Sequence, residues 1–165
     1  MSDILYSPWR LQYILAKQEL ECIFCVNPSE NEDDKHLILY RSEFSYVIMN
    51  LFPYNNGHLL VVPQKHVPNL NGLNHAEIAD LFTTVQLTEK VLAKVYSPDG
   101  INIGMNLGKA AGAGIDEHLH VHIVPRWSGD VNFMSALSGT RVIPESFDSA
   151  YMKLKEQFDN EKTQK

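Results

Sequence analysis

Residues 117–127 read EHLHVHIVPRW, and the rest of the chain is best read outward from them. Histidine stands at every second position, His118, His120 and His122, with Leu119, Val121 and Ile123 as the alternating partners. Side chains alternate between the two faces of an extended strand, so residues i, i+2 and i+4 share one side. The spacing predicts a strand over residues 118–125 that carries three imidazoles on one face and an apolar row on the other. Imidazole is a poor filler for a sheet surface. A solvent-facing polar stripe is the bland reading of such a row; a metal site or nucleophilic chemistry is the functional one.

The segment before this strand is GKAAGAG, residues 108–114. Small residues let backbone N–H groups approach an anion closely, and such amide nests bind phosphate; Lys109 adds a charge. A glycine-rich loop alone is weak, but delivered straight into a histidine strand it suggests phosphate held beside a nucleophile. Upstream, INIGMNL (101–107) reads as a strand. Residues 74–96 place Ile78, Leu81, Phe82, Val85, Val91 and Leu92 at helical spacing. Asn74 is the expected N-cap of that helix, with Glu77 completing a capping box. HLILYRSEFSYVIMN (36–50) reads as two strands reversing at Arg41-Ser42, LFPYNNG as a turn, and HLLVVP (58–63) as a further strand. A short helix is expected over 7–18, an exposed acidic loop over 27–35 and a terminal helix over about 144–160, with residues 161–165 fraying. The sum is an α+β fold: a mainly antiparallel sheet of about five strands, with a central and a C-terminal helix.

The chain has 165 residues, a net charge of -6 and a pI near 5.6. The length suits one domain spanning 1–165, with 1–35 as an N-terminal segment. The acidic balance argues against a nucleic-acid polymer as partner, but not against a small anion in a locally positive pocket. No stretch approaches the roughly 20 apolar residues of a membrane span, and the N-terminus lacks a basic start followed by an apolar run. The expected compartment is therefore the cytoplasm, with no membrane partner. There, the closely spaced Cys22 and Cys25 of CIFC read as a metal half-site or a redox pair.

His-Leu-His-Val-His-Ile-Val resembles the signature of the histidine triad (HIT) family. IMNLFPYNNGHLLVVPQKHV (48–67) resembles the family's ribose-binding strand and turn, and NLGKAAGAG (106–114) its phosphate loop. SPWR (7–10), CIFC (22–25) and HLHVHIVPRWSGDVNF (118–133) together resemble the bacterial branch that handles diadenosine polyphosphates, including diadenosine tetraphosphate phosphorylases. The resemblance implies an enzyme whose nucleophile is His120, attacking an α-phosphorus to give a nucleotidyl-histidine intermediate. It implies that His122 contacts the phosphate or leaving oxygen, that His118 completes the triad, and that His58 supports it from the neighbouring strand. It places Asn50 on ribose, Asn106 and the Gly112-Ala113-Gly114 backbone on phosphate, and Trp127 near the nucleotide. Each asparagine also admits a plainer role, bonding its own backbone at a turn, and Trp127 admits core or dimer packing.

In zinc-bearing relatives the ligands are the cysteine pair, the histidine of PxxH and the first triad histidine; here these are Cys22, Cys25, His66 and His118. The resemblance thus implies a structural zinc and no catalytic metal. It also implies a homodimer with a continuous sheet, acting on a small nucleotide substrate. One departure stands out. Many members carry serine or glutamine in the phosphate loop, where this chain has Ala113-Gly114-Ile115, leaving the leaving group and the second nucleophile open. Water makes the protein a hydrolase, inorganic phosphate a phosphorylase, and a P–N substrate a phosphoramidase. A nucleotide-binding module with little turnover and a zinc enzyme using all three triad histidines are the rivals. His36 and His75 read as surface residues.

Overall fold

The computed structural model describes residues 22–25, 32–130 and 143–163. The helix expected over 7–18 lies outside them, as does most of the acidic loop. Five strands form one sheet: β1 (Ile38–Arg41), β2 (Ser45–Met49), β3 (Leu59–Pro63), β4 (Gly100–Gly104) and β5 (Val121–Arg126). Their order is β1-β2-β3-β5-β4, and every neighbouring pair is antiparallel. Helix α1 (His75–Tyr96) crosses from β3 to β4, and α2 (Phe147–Thr163) closes the chain.

The β1–β2 reversal is where turn chemistry placed it. Ser42 N–H donates to the Ser45 carbonyl at 2.9 Å, and Asp80 of α1 accepts from the Ser42 hydroxyl and Phe44 N–H. Helix α1 begins on the expected capping box, with Glu77 N–H to Asn74 Oδ1 at 3.0 Å and Asn74 N–H to Glu77 Oε2 at 2.7 Å. Its buried face runs through Leu81, Thr84, Val85, Thr88, Val91 and Leu92, whereas Phe82 is exposed. The two threonines are accommodated because Thr88 donates to the Thr84 carbonyl and Thr84 donates to the Ser42 hydroxyl.

The sheet has two different faces. Val47, Met49, Leu59, Val61, Leu119, Val121 and Ile123 meet α1 and α2 in the main core. At about 1.5–3 kcal/mol for each fully buried aliphatic side chain, the row Leu119-Val121-Ile123 alone holds the histidine segment firmly down. Ile38, Tyr46, Leu60 and Val62 point the other way and pack with Phe24. No helix covers that second face among the described residues; the short 22–25 segment does, pinned by the Tyr46 hydroxyl donating to the Phe24 carbonyl at 2.6 Å.

Three elements differ from expectation at their ends. β5 joins the ladder only at Val121, not 118: pairing with β3 stops at Val61, and Pro63, which the register sets opposite Leu119, has no N–H to give and turns its carbonyl to the His118 ring. Residues 118–120 stay extended but bond elsewhere, Leu119 N–H to the Val67 carbonyl. β4 ends at Gly104 rather than 107. The terminal helix starts at Phe147 and runs to Thr163, so 161–163 do not fray: Glu161 is buried between Lys90 and Lys94 of α1. No described helix is long and apolar enough to cross a membrane.

Candidate active site

The three histidines do lie on one side, away from Leu119, Val121 and Ile123, but they serve two places. His118 turns toward the cysteines and His66. His120 and His122 line a cavity of about 190 Å³ on the open face of the sheet, several waters' worth of space.

Around the cavity the imidazoles are fixed in order. His120 Nδ1 lies 2.8 Å from the His118 carbonyl oxygen. A carbonyl only accepts, so Nδ1 carries the proton and the lone pair is left on Nε2. A second chain begins at Tyr54, whose N–H donates to His58 Nδ1 at 3.0 Å. His58 must then carry its proton on Nε2, 3.0 Å from His122 Nδ1. His122 accepts there and keeps its own proton on Nε2. That atom is buried without a partner among the described residues, a donor with an outstanding demand. The rings of His120 and His122 are 4.9 Å apart, and Tyr54 stacks on His122 at 5.6 Å.

Burial is the main cause that favours the neutral form of His58, His118 and His122. His58 is pushed down to about 3 and His122 to about 4, each by burial first and by neighbouring histidines second. His118 is lowered too, chiefly by burial.

The glycine loop reaches the same cavity. Gly112 and Gly114 line it together with Ile115; Gly112 sits at φ 90°, a conformation that favours glycine. Ala113 is half-buried and contributes no lining. Lys109 is exposed and lies 3.7 Å from Asp116. Asn50 lines the cavity while also serving its own turn: Oδ1 accepts from Phe52 N–H at 2.9 Å and Nδ2 lies 3.2 Å from His58 Nδ1. Asn106 is on an adjoining hollow over β4 and β5 with Asn102 and Arg126, joined to the cavity through Tyr54 and His122. Trp127 belongs to neither; it packs edge-on against Tyr96 at 6.3 Å.

Sequence reasoning missed several wall residues. Ile23, Phe24, Leu51, Phe52 and Tyr54 line the cavity. Phe24 is buried, with its ring 5.1 Å from His120 and 5.6 Å from His118. The usable signal was the pair of apolar residues inside CIFC and the aromatics inside LFPY. His36 also lines the cavity and is half-buried, whereas His75 is exposed.

Cys22, Cys25, His66 and His118 each bring one donor atom into a group within 4.8 Å of one another. The Nδ1 of His118 is 3.3 Å from Cys22 Sγ and 3.7 Å from Cys25 Sγ, and His66 Nδ1 is 3.3 Å from Cys25 Sγ. Bond lengths of about 2.3 Å to sulfur and 2.0 Å to nitrogen at the tetrahedral angle separate such donors by about 3.6 Å. His118 Nε2 donates to the Pro63 carbonyl at 2.9 Å, so its Nδ1 lone pair faces the thiols, as a metal ligand requires. The donor set therefore fits a tetrahedral metal.

The chain resembles known proteins along most of its length. The sequence pattern of the HIT domain matches residues 30–129. An AP-4-A phosphorylase of Mycobacterium tuberculosis is 38% identical over 149 residues, covering 86% of this chain and 76% of that one. An asymmetrical bis(5'-nucleosyl)-tetraphosphatase of Schizosaccharomyces pombe is 43% identical over 93 residues, covering 56% of this chain and 50% of its own. Among solved structures, a zinc-bound histidine triad family protein from Mycobacterium smegmatis superposes with a TM-score of 0.67 at 25% identity, over 88% of this chain and 98% of that one. With the domain pattern covering more than half the sequence and the triad geometry in place, the chain belongs to the HIT family.

Proposed function

We propose that this protein cleaves dinucleoside polyphosphates, such as diadenosine tetraphosphate, at an α-phosphorus through a nucleotidyl intermediate on His120. One observation carries the reading: His120 presents an unprotonated Nε2 to the cavity while His122 presents a protonated Nε2 beside it. His120 Nε2 attacks the α-phosphorus. A P–N bond forms, the P–O bond to the leaving polyphosphate breaks, and its electron pair stays on the departing oxygen. His122 keeps its proton and donates an Nε2–H hydrogen bond to that oxygen, and the polyphosphate leaves as its anion. His58 holds His122 in the required tautomer and accepts no net charge, since both rings resist protonation. Gly112 and Gly114 bring backbone to the cavity wall, where the Gly114 N–H would hold a phosphate oxygen; the Gly112 N–H already donates to the Lys109 carbonyl at 3.0 Å. Ile23, Phe24, Leu51 and Phe52 form an apolar wall suited to the flat face of a base.

The second nucleophile is water in a hydrolase and inorganic phosphate in a phosphorylase. The similarity to a protein named AP-4-A phosphorylase over 86% of the chain supports phosphate in that role. Product analysis decides. With diadenosine tetraphosphate alone, AMP plus ATP identifies a hydrolase; ADP plus ATP formed only with added phosphate identifies a phosphorylase. The variant His120→Ala is expected to bind nucleotide but to lose turnover by at least about a thousandfold. Turnover that survived in it would remove His120 as nucleophile.

Cys22, Cys25, His66 and His118 would hold a structural zinc, which would clamp the 22–25 segment to the sheet and supply no chemistry to the substrate. Among the described residues the outer edge of β4 has no strand beside it, and Ile103 and Leu107 nearby are nearly half exposed; this supports a homodimer that continues the sheet across that edge. The partner in this reading is a small nucleotide rather than a nucleic acid or a membrane, and the cytoplasm is the expected compartment.

A further inference from the structure

We infer that His36 is a specificity-determining residue that reads the edge of the nucleobase; this rests on the nucleotide reading above. Five polar side chains line the cavity: His36, Asn50, Tyr54, His120 and His122. Four of them form one linked group. Asn50 and Tyr54 both contact His58, Tyr54 stacks on His122, and His122 packs on His120. His36 stands outside that group, with Ile48, Leu51, Phe52 and Ile115 among its companions on the apolar part of the wall.

The backbone aims it there. Leu37, the next residue, takes φ 58°, a left-handed conformation uncommon outside glycine. Its N–H donates to the Asp34 carbonyl and its own carbonyl accepts from Met49 N–H. Leu37 packs against the main core on the helix side of the sheet, while His36 lies on the cavity side, level with Asn50.

The distances suit a nucleotide. The nucleophile leads into β5, and His36 leads into β1, three strand positions away in the order β1-β2-β3-β5. At about 4.8 Å per strand that is roughly 14 Å across the sheet. β1 runs opposite to β5 and Ile38 stands level with His122, so His36 also lies about four residues, roughly 13 Å, along from His120. The backbone separation of about 19 Å is one that an extended nucleotide and the two imidazole side chains cover together. Ile48 of β2 and Leu60 of β3 floor the cavity between them. A base lying on that floor contacts aliphatic and aromatic surface, which holds any base by its face and discriminates little. Discrimination comes from a hydrogen-bonding partner at the edge that the bound base shuts off from water, because the wrong base leaves it unpaired. His36, with one ring donor and one ring acceptor when neutral, supplies that partner.

The test uses the inactive His120→Ala protein, so that intact substrate stays bound, and measures dissociation constants for diadenosine and diguanosine tetraphosphate. These are compared with His120→Ala carrying His36→Leu, and with His120→Ala carrying His36→Gln, which keeps a donor and an acceptor. The expected result is a preference of about tenfold or more for one base, reduced to within about twofold by leucine and largely restored by glutamine. Equal affinities in His120→Ala, or a preference untouched by leucine, would overturn the assignment of His36. Failure of either compound to bind His120→Ala would overturn the nucleotide reading itself, and His36 with it.

Discussion

At the scale of single residues, His58 and His122 are buried imidazoles held in fixed tautomers, and that has a consequence for acid stability. His58 and His122 are displaced from the ordinary 6.5 to about 3 and about 4, burial being the larger cause for both. In the unfolded chain both rings take up protons below about pH 6.5, whereas the folded chain refuses them. The unfolded state therefore binds more protons, and stability rises with pH in that window. The contribution is complete above about pH 6.5 and is lost as pH falls toward 4 and then 3. Urea unfolding midpoints measured from pH 7.5 to 4.5 should fall on the acid side, and His58→Asn should flatten that fall. A His58→Asn profile parallel to the wild type would mean that other groups drive acid unfolding. The triad itself was legible from a period of two. What spacing did not reveal is its division, His118 to the thiols and His120 to the cavity, because alternation fixes a side of the sheet and says nothing of what lies above it.

At the scale of elements, local rules worked wherever the partner was local. The α1 cap is such a case: Asn74 and Glu77 are three residues apart and satisfy each other's N–H groups. Asn74→Ala should cost about 1 kcal/mol, or about 2–4 °C in Tm for a chain of this size. Asn74→Ser should recover most of it by thermal denaturation; a loss unaffected by serine would place the cost outside the cap. Local rules failed where a distant partner decided. Pro63 offers Leu119 no N–H and gives its carbonyl to the His118 ring, and the Leu119 N–H goes to Val67 instead of the ladder. Glu161, read as part of a fraying end, is buried because Lys90 and Lys94 reach it from α1, about seventy residues earlier. Phe82 fits the helical spacing yet is exposed, while Thr84 and Thr88 go inside through hydrogen bonds that no hydropathy pattern registers.

At the scale of the whole molecule, the two faces of the sheet are secured by different means. The helix side is closed by a continuous apolar core. On the cavity side the cover described is the 22–25 segment, resting on Phe24, one hydrogen bond to Tyr46 and the contacts of Cys22 and Cys25 with His118 and His66. So small an apolar cluster gives that segment little hold of its own, and a metal shared by the four donors would join residues far apart in sequence. Ile23 and Phe24 stand between the cysteines and form part of the cavity wall, so the clamp and the substrate site cannot be independent. Elemental analysis should find about one zinc per chain, falling to near zero in Cys22→Ser/Cys25→Ser. Chelation should lower Tm and weaken nucleotide binding together, and added zinc should restore both. The order of loss separates the roles: a catalytic metal on the triad would abolish turnover while leaving Tm in place. A chain that stays free of zinc when refolded with the metal, yet keeps full stability and binding, would mean that the thiols and imidazoles hold the segment without any ion.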